Sequence, residues 1–188
     1  MGVFMKKVII SVLGHDRPGI LAATTQVLFE QDCNLENVSQ TILQSEFAGV
    51  FIASIPESLT VEELNNQLEK ILGALNLYVF VKPIRVDIPT YDAPGSEPFV
   101  ITTKGPDRKG LVAGITSVIA RFGVNVTNLS AVFKGGDDPN QNIMIYEVDI
   151  PWRIDQNAFQ NDFREKATGL GLNISIQHRK IFETINRI

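Results

Sequence analysis

The chain has 188 residues, of which 44% are hydrophobic and 20% are charged, and its formal net charge is −4. This is the composition of a soluble globular protein, with no apolar run near the roughly 18–20 residues of a membrane span and no lysine and arginine stripe for nucleic-acid binding. Together with a single cysteine, Cys33, which is typical of a reducing compartment, these numbers predict a cytoplasmic protein that binds neither membranes nor nucleic acids directly.

The first predicted elements are a strand, a helix and a hairpin. The β-branched run 8–13 predicts the strand. Apolar residues at spacings of three and four then predict a helix that begins near Ile20 and buries one face. The hairpin that follows consists of predicted strands over 38–43 and 50–55 and a turn over 45–49.

A second helix follows the hairpin. Thr60 and Glu63 have the spacing of a capping box, in which each side chain accepts from the other residue's backbone N–H at the start of a helix. A single apolar stripe predicts the buried face of this helix: Val61, Leu64, Leu68, Ile71, Leu72 and Leu75. A strand over 77–81 completes the order strand, helix, strand, strand, helix, strand.

The second half of the chain has the same predicted order. Its helices have apolar faces at helical spacing, formed by Leu111, Ile115, Val118, Ile119 and Phe122 in the first and by Phe159, Phe163, Ala167 and Leu170 in the second. Its strands are predicted over 99–101, 126–133, 143–150 and 172–176, with a longer hairpin turn over 134–140.

The two halves also share residues. A single offset of 91 aligns residues 14–39 with residues 105–130 without a gap and gives ten identities. This repeat sets the domain count, so we expect one domain over 5–88 and another over 97–182, joined by a proline- and glycine-containing linker over 89–96. Each βαββαβ unit predicts a ferredoxin-like α+β domain, an antiparallel sheet with both helices on one face.

Part of the repeat is a Gly-x-Asp-Arg-x-Gly pattern between the first strand and the first helix of each half. The N–H groups at a helix N-terminus have no partner within the helix and favour an anion such as a carboxylate. Gly19 and Gly110 leave the backbone open to a ligand. Asp16 and Asp107 place a negative charge beside that anion site, where an ammonium group would be satisfied. This combination of charges suits a free amino acid.

Two pairs of asparagines extend this prediction, Asn34 with Asn125 and Asn37 with Asn128. They begin the second strand of each half, where we expect their amides to hydrogen-bond the same zwitterion. A purely structural role for the loop carries equal weight, because an aspartate before a helix is a good N-cap and Pro18 suits a first helical turn.

With Gly-His-Asp-Arg-Pro-Gly-Ile at the first turn of a βαββαβ unit, the chain resembles ACT domain proteins. It is similar in particular to tandem-ACT proteins of the glycine cleavage system transcriptional repressor type, from about Lys6 to Phe182. The resemblance implies amino-acid binding at ACT–ACT interfaces and regulation of a protein partner, without catalysis. The second loop departs from the family pattern, with Pro106 in place of His15 and Lys109 in place of Pro18, so equal ligand affinity at the two loops is not expected.

We therefore expect a non-catalytic sensor of a small amino acid, such as glycine or serine, that needs no cofactor or metal. It would act through a protein partner, with indirect transcriptional regulation as one output, and would form a homodimer if an edge strand stays unpaired. The alternatives are a ligand-free adaptor or trans-acting subunit of a metabolic enzyme, and an enzyme. The predicted ligand-binding residues are Asp16, Arg17, Pro18, Gly19, Ile20, Asn34, Asn37, Asp107, Arg108, Lys109, Gly110, Leu111, Asn125 and Asn128.

Overall fold

The computed structural model of the chain describes residues 6–85, 95–132 and 142–185. The chain divides into two compact units, residues 1–89 (unit 1) and residues 90–188 (unit 2). The predicted linker lies almost wholly outside the described residues, apart from Gly95 and from Ser96, which is already the first residue of a strand. The predicted turn over 134–140 also lies outside them.

Unit 1 has the predicted βαββαβ order. Its elements are β1 (Lys6–His15), α1 (Ile20–Glu30), β2 (Asn34–Leu43), β3 (Glu46–Ile55), α2 (Val61–Gly73) and β4 (Tyr78–Pro83). The strands form one antiparallel sheet in the order β2-β3-β1-β4. This is the strand order of a ferredoxin-like domain, so the fold class predicted from the sequence is confirmed for this unit.

Unit 2 repeats this arrangement and adds one helix. Its elements are β5 (Ser96–Gly105), α3 (Leu111–Arg121), β6 (Asn125–Val132), β7 (Asn142–Pro151), α4 (Gln156–Gly169), β8 (Asn173–His178) and α5 (Arg179–Ile185). The antiparallel strand order is β6-β7-β5-β8, which matches unit 1 strand for strand. The seven-residue α5 was not predicted from the sequence, because its few residues show no complete apolar period.

The core of each unit lies between the sheet and its two long helices. In unit 1, alternate residues of β1, one of the two central strands, are fully buried beneath the helices: Val8, Ile10 and Val12. Helix α1 adds four buried residues, Ile20, Thr24, Val27 and Leu28. In unit 2, Phe159 and Phe163 of α4 fill the corresponding space and contact each other with ring centroids 5.7 Å apart. Strand side chains that alternate with a period of two and helix side chains that recur with a period of 3.6 thus meet in one apolar layer.

The capping box of α2 is confirmed. The Thr60 side chain accepts from the Glu63 backbone N–H at 3.1 Å, and the Glu63 carboxylate accepts from the Thr60 backbone N–H at 2.9 Å. These hydrogen bonds hold the pKa of Glu63 below its usual value. The predicted stripe is correct at the three fully buried leucines, Leu64, Leu68 and Leu72, but wrong at Ile71, which is 44% exposed because it lies on the flank of the helix.

The predicted turn over 45–49 is wrong. Strand β3 begins at Glu46, and the hairpin turn consists of Gln44 and Ser45, with Gln44 in the left-handed region at φ 58°. Phe47 explains the longer strand, because its side chain is buried in the core and its backbone is paired with Gly14 of β1. The two-residue turn lets β3 begin at Glu46, so the pairing of β3 with β1 includes Phe47.

Candidate functional site

The first glycine of the repeated pattern is a packing residue. A Cβ added to Gly14 would lie 2.8 Å from Leu77 Cδ2 and 3.1 Å from the Asn76 carbonyl oxygen. A Cβ added to Gly105 would lie 2.7 Å from the Gly171 carbonyl oxygen. In both units, therefore, the strand can pass this close to the segment before β4 or β8 only because the residue has no side chain.

The second glycine of the pattern has a different role. Gly19 and Gly110 are the N-cap residues of α1 and α3, with φ of 98° and 88°, and a Cβ added to either would have no neighbour within 4 Å. Neither helix has a side-chain cap hydrogen bond. The aspartate-cap part of the structural alternative is therefore wrong, because Asp16 and Asp107 are three residues before the N-cap position.

The N-terminal amides of both helices are free within the described part of the chain. The first intrahelical hydrogen bonds run from Ala23 N–H to the Gly19 carbonyl at 2.9 Å and from Gly114 N–H to the Gly110 carbonyl at 2.8 Å. The amides that precede these donors, those of residues 20–22 and 111–113, have no acceptor among the described residues. Three unpaired N–H groups at the positive end of a helix dipole favour a nearby anion.

An open depression of about 480 Å³ lies at the loop of unit 1, and we call it the first depression. Five predicted residues line it, Asp16, Arg17, Pro18, Gly19 and Ile20. Leu21 and Ala22 from α1 and Gln40 and Phe47 from the strands also line it. The backbone N–H of Asp16 donates to the Ser45 carbonyl at 2.7 Å, which ties the loop to the hairpin turn.

The loop of unit 2 forms a corresponding depression of about 510 Å³, the second depression. The predicted residues Asp107, Arg108, Lys109, Gly110 and Leu111 line it, together with Val112, Ala113 and Met144. The loop is held differently from that of unit 1. Arg108 Nη2 donates to the Gly169 carbonyl at the end of α4 at 3.1 Å, and Asn142 Nδ2 donates to Asp107 Oδ1 at 3.4 Å.

The structure does not bring the paired asparagines to these depressions within a unit. Asn37 and Asn34 pair with Ile52 and Ser54, five and seven residues along β3 from Phe47, which is the partner of Gly14. That separation is about 17–24 Å at the rise of a β-strand. The same register in unit 2 places Asn128 and Asn125 opposite Glu147 and Asp149, equally far from the second loop.

A loop and the asparagines of its own unit therefore lie too far apart to contact one small ligand. The second strand is antiparallel to the third, so it begins at the far end of the sheet. A β-bulge precedes Asn37 in β2 and recurs 91 residues later before Asn128 in β6. Bulges of this kind redirect side chains at a sheet edge, and the sequence carried no local sign of this one.

Charged and polar partners surround this asparagine end of each sheet. In unit 1, Glu36 at the bulge accepts from Lys7 Nζ at 2.6 Å and from the Ser54 hydroxyl, and these bonds hold the pKa of its carboxyl below the usual value. In unit 2, Asn128 Nδ2 donates to Glu147 Oε1 at 2.9 Å, and Glu147 also pairs with Arg179 of α5 at 3.0 Å.

Outside the loops, the described residues offer little catalytic or metal-binding chemistry. They contain no cluster of three or more histidine, cysteine, aspartate or glutamate side chains that would hold a metal ion. His15 Nδ1 lies 3.4 Å from Glu46 Oε1, and both side chains are exposed. A larger depression, of about 640 Å³, lies between α3 and α4, where Arg121 and Asp162 pair at 2.6 Å. None of its lining comes from the repeated loop.

In the described part of the chain, no helix combines the length and apolarity needed to cross a bilayer. Comparison with known proteins identifies the two units. The sequence model of the ACT domain matches the chain twice, over residues 6–82 and over residues 97–177. These matches coincide with the two βαββαβ units.

Curated relatives have about the length of one repeat. A UPF0237 protein of Methanopyrus kandleri is 37% identical over 79 residues, which are 42% of this chain and 88% of that protein. A UPF0237 protein of Methanosarcina acetivorans is 34% identical over 94 residues, 50% of this chain and 98% of that protein.

Solved structures match the tandem arrangement. A protein of unknown function from Galdieria sulphuraria has a TM-score of 0.75 and 19% identity, with 93% of this chain and 98% of that chain covered. A protein provisionally named a glycine cleavage system transcriptional repressor has a TM-score of 0.67 and 19% identity, with 93% and 97% covered. At this identity the likeness shows the fold. The two matches to the family's sequence model span most of the chain, which therefore belongs to the ACT domain family of regulatory domains.

Proposed function

We propose that the chain is a non-catalytic regulatory protein that senses a small amino acid of the glycine or serine type through its two loops. The observation that carries this proposal is the repeated pair of an uncapped helix N-terminus and an adjacent aspartate. At the first loop the unpaired amides begin at Ile20, and Asp16 lines the same depression. The carboxylate of the ligand would accept from the amides while its ammonium group is held by the aspartate.

A small ligand fits because the N-cap residues leave the backbone accessible and the side chains that line each depression leave little room. Gly19 and Gly110 have free space where a side chain would be, whereas Phe47 and Met144 limit the depth of the two depressions. We further propose that the asparagines act from a facing ACT domain. In that arrangement a ligand bridges one loop and the neighbouring domain's strand, at Asn34 and Asn37 or at Asn125 and Asn128.

The output would pass through a protein partner in the cytoplasm rather than through nucleic acid. The outward face of the unit 1 sheet supports a protein contact, because large apolar side chains are exposed there, among them Tyr78 at 79%, Phe80 at 61% and Leu13 at 51%. These three are neighbours in the β1–β4 register. A transcription factor, a metabolic enzyme or a second copy of the chain are the partners that this proposal allows.

The test is a thermal-shift screen of the full chain against the twenty amino acids. A ligand at 100 times its dissociation constant adds about 2.7 kcal/mol to the unfolding free energy, which raises the melting midpoint by several degrees. We expect a selective response to glycine or serine, and a smaller response in a chain that carries both Asp16→Ala and Asp107→Ala.

Two outcomes would contradict the proposal. A well-folded chain that responds to no amino acid would remove the sensor function and leave the exposed sheet face as the argument for a ligand-free adaptor. A chain with both Asp16→Ala and Asp107→Ala that binds as tightly as the native chain would remove the assigned role of the aspartates in holding the ammonium group.

A further inference from the structure

Two buried oxygen atoms in unit 2 have no hydrogen-bond partner in the described structure. They are Thr103 Oγ1 and Asn142 Oδ1. Thr103 is fully buried and Asn142 is 4% exposed. A buried polar atom without a partner is costly, so in native proteins it usually marks the place of a water molecule, an ion or a ligand.

Neither residue lines the second depression itself, but both lie on the strands next to it. Asn142 begins β7 opposite Gly105, the residue with which the second loop starts, and Thr103 pairs with Met144. All four residues point to the helix-facing side of the sheet, since residues paired across strands and residues two apart share a face. Met144 lines the depression, and the side-chain amide of Asn142 already donates to Asp107, which also lines it.

Unit 1 has no polar residues at these two positions. The residue 91 positions before Thr103 is Val12, which is fully buried. The residue paired with Gly14, as Asn142 is paired with Gly105, is Phe47. The Phe47 ring lies over Gly49, at the position that corresponds to Met144. The floor beneath the first loop is therefore apolar, while that beneath the second is polar.

We propose that the second depression is the selective site of the protein, and that its polar floor takes a primary ammonium group. This rests on the proposed function. Asp107, Asn142 Oδ1 and Thr103 Oγ1 are three acceptors, which matches the three N–H donors of an ammonium group. The carboxylate of the same ligand accepts from the free amides that begin at Leu111. The specificity of this site is for an unmodified α-amino acid.

Met144 controls access to the floor. Its side chain is packed in the apolar core of unit 2, and its sulfur accepts a weak hydrogen bond from the Tyr146 hydroxyl at 3.4 Å. Methionine is unbranched and changes rotamer at low cost, so the entering ammonium group displaces it. The first depression has no methionine that could move aside, because the ring of Phe47 closes it. We therefore expect the first loop to bind more weakly and to discriminate less against ligands that lack an ammonium group.

The experiment is isothermal titration of the full chain with glycine, L-serine and glycolate, which has the carboxylate but no ammonium group. The native chain is expected to bind at least one of the amino acids and to bind glycolate much more weakly. Thr103→Val removes one buried acceptor while preserving shape, and Asn142→Leu removes the other acceptor together with the amide that donates to Asp107. We expect Asn142→Leu to weaken the tighter class of sites by about 10- to 100-fold, as for loss of a hydrogen bond to a charged group.

A control variant separates this effect from a general loss of buried hydroxyl groups. Thr24→Val removes a buried hydroxyl of α1 that already has a partner, the Ile20 carbonyl at 2.9 Å, and it should leave the tighter sites unchanged. Circular dichroism and the melting midpoint show that the variants fold, and Asn142→Leu is expected to be at least as stable as the native chain, because it removes an unsatisfied buried group.

A second readout does not depend on affinity. With methionine methyl groups labelled with carbon-13, and the Met144 signal identified by its loss in Met144→Leu, glycine or serine should shift that signal in the native chain but not in Asn142→Leu. Tight binding that survives in Asn142→Leu, or an unmoved Met144 signal, would mean that the floor holds only an ordered water, and would overturn this inference while the sensor function stands. A native chain that binds neither amino acid would overturn both.

Discussion

At the scale of single residues, the repeated pattern separates two uses of glycine. Gly14 is required for space as well as for conformation, since its neighbours Leu77 and Asn76 would contact any Cβ and its φ is 154°. Gly19 is required for conformation, since it has open space around it but φ of 98°. The sequence presents both simply as glycines of one loop. Only the second adjoins the unpaired amides, so only the second belongs to the proposed site.

Substitutions by alanine and asparagine distinguish these two uses. Gly19→Ala should lower the unfolding free energy by about 1–2 kcal/mol, and Gly19→Asn by less, because asparagine tolerates the left-handed region. Gly14→Ala should cost about 1–3 kcal/mol by overpacking and by backbone strain at φ 154°, and Gly14→Asn at least as much, because its side chain is larger. Urea unfolding of the four variants measures this. An asparagine that is better tolerated than alanine at both positions would contradict the assignment of Gly14.

At the scale of elements, helix α2 shows how local signals define a helix while packing decides which side chains are buried. The capping box starts the helix at Val61, and its first turn carries two glutamates, which favour the positive end of the helix dipole. Leu64, Leu68 and Leu72 recur every four residues and face the sheet directly. Ile71 belongs to the same sequence stripe, but its position on the flank of the helix leaves it 44% exposed.

Truncation of two α2 side chains therefore has unequal effects. Leu68→Ala should lower the unfolding free energy of unit 1 by about 2–5 kcal/mol, because it opens a cavity in the core. Ile71→Ala should cost well under half as much, since the side chain is 44% exposed and alanine has the higher helix propensity. Denaturant unfolding of the full chain with each variant checks this. Similar losses in the two variants would mean that Ile71 is covered in solution.

At the scale of the whole molecule, the two units share one fold and differ in chemistry. Their strands match one for one and even the bulge recurs, yet Phe47 and Val12 of unit 1 correspond to Asn142 and Thr103 of unit 2. Their titrating groups differ as well. The carboxyls with lowered pKa, Glu36 and Glu63, are in unit 1, whereas burial raises the pKa of Tyr146 in unit 2 to about 12.

The alkaline limit of stability should therefore depend on unit 2. The pKa of Tyr146 is about 12 in the folded chain against 10.0 for an ordinary tyrosine, so burial favours the neutral phenol. Its contribution is fully present below pH 10 and is lost as the pH rises toward 12. Urea unfolding at pH 8 and pH 11 should show a smaller loss for Tyr146→Phe than for the native chain. Equal losses would show that Tyr146 titrates normally.

The sequence by itself determined the repeat, the fold class and most of the elements. Hydrophobic periodicity, the capping box and the loop glycines are short-range features, each readable within about a dozen residues. For the same reason the predicted loop residues Asp16 to Ile20 and Asp107 to Leu111 do line two depressions. A loop of consecutive residues needs no long-range contact to stay together.

Tertiary structure decided what surrounds those loops. Strand pairing brings Phe47 to the first loop and Asn142 to the second from about 30 residues away in the chain, and it places the asparagines of each second strand at the far end of the sheet. Register is set by cooperative burial over the whole sheet, so no local pattern states which residue will face a given loop. The loops are thus a property of the sequence, and the floor beneath each loop is a property of the fold.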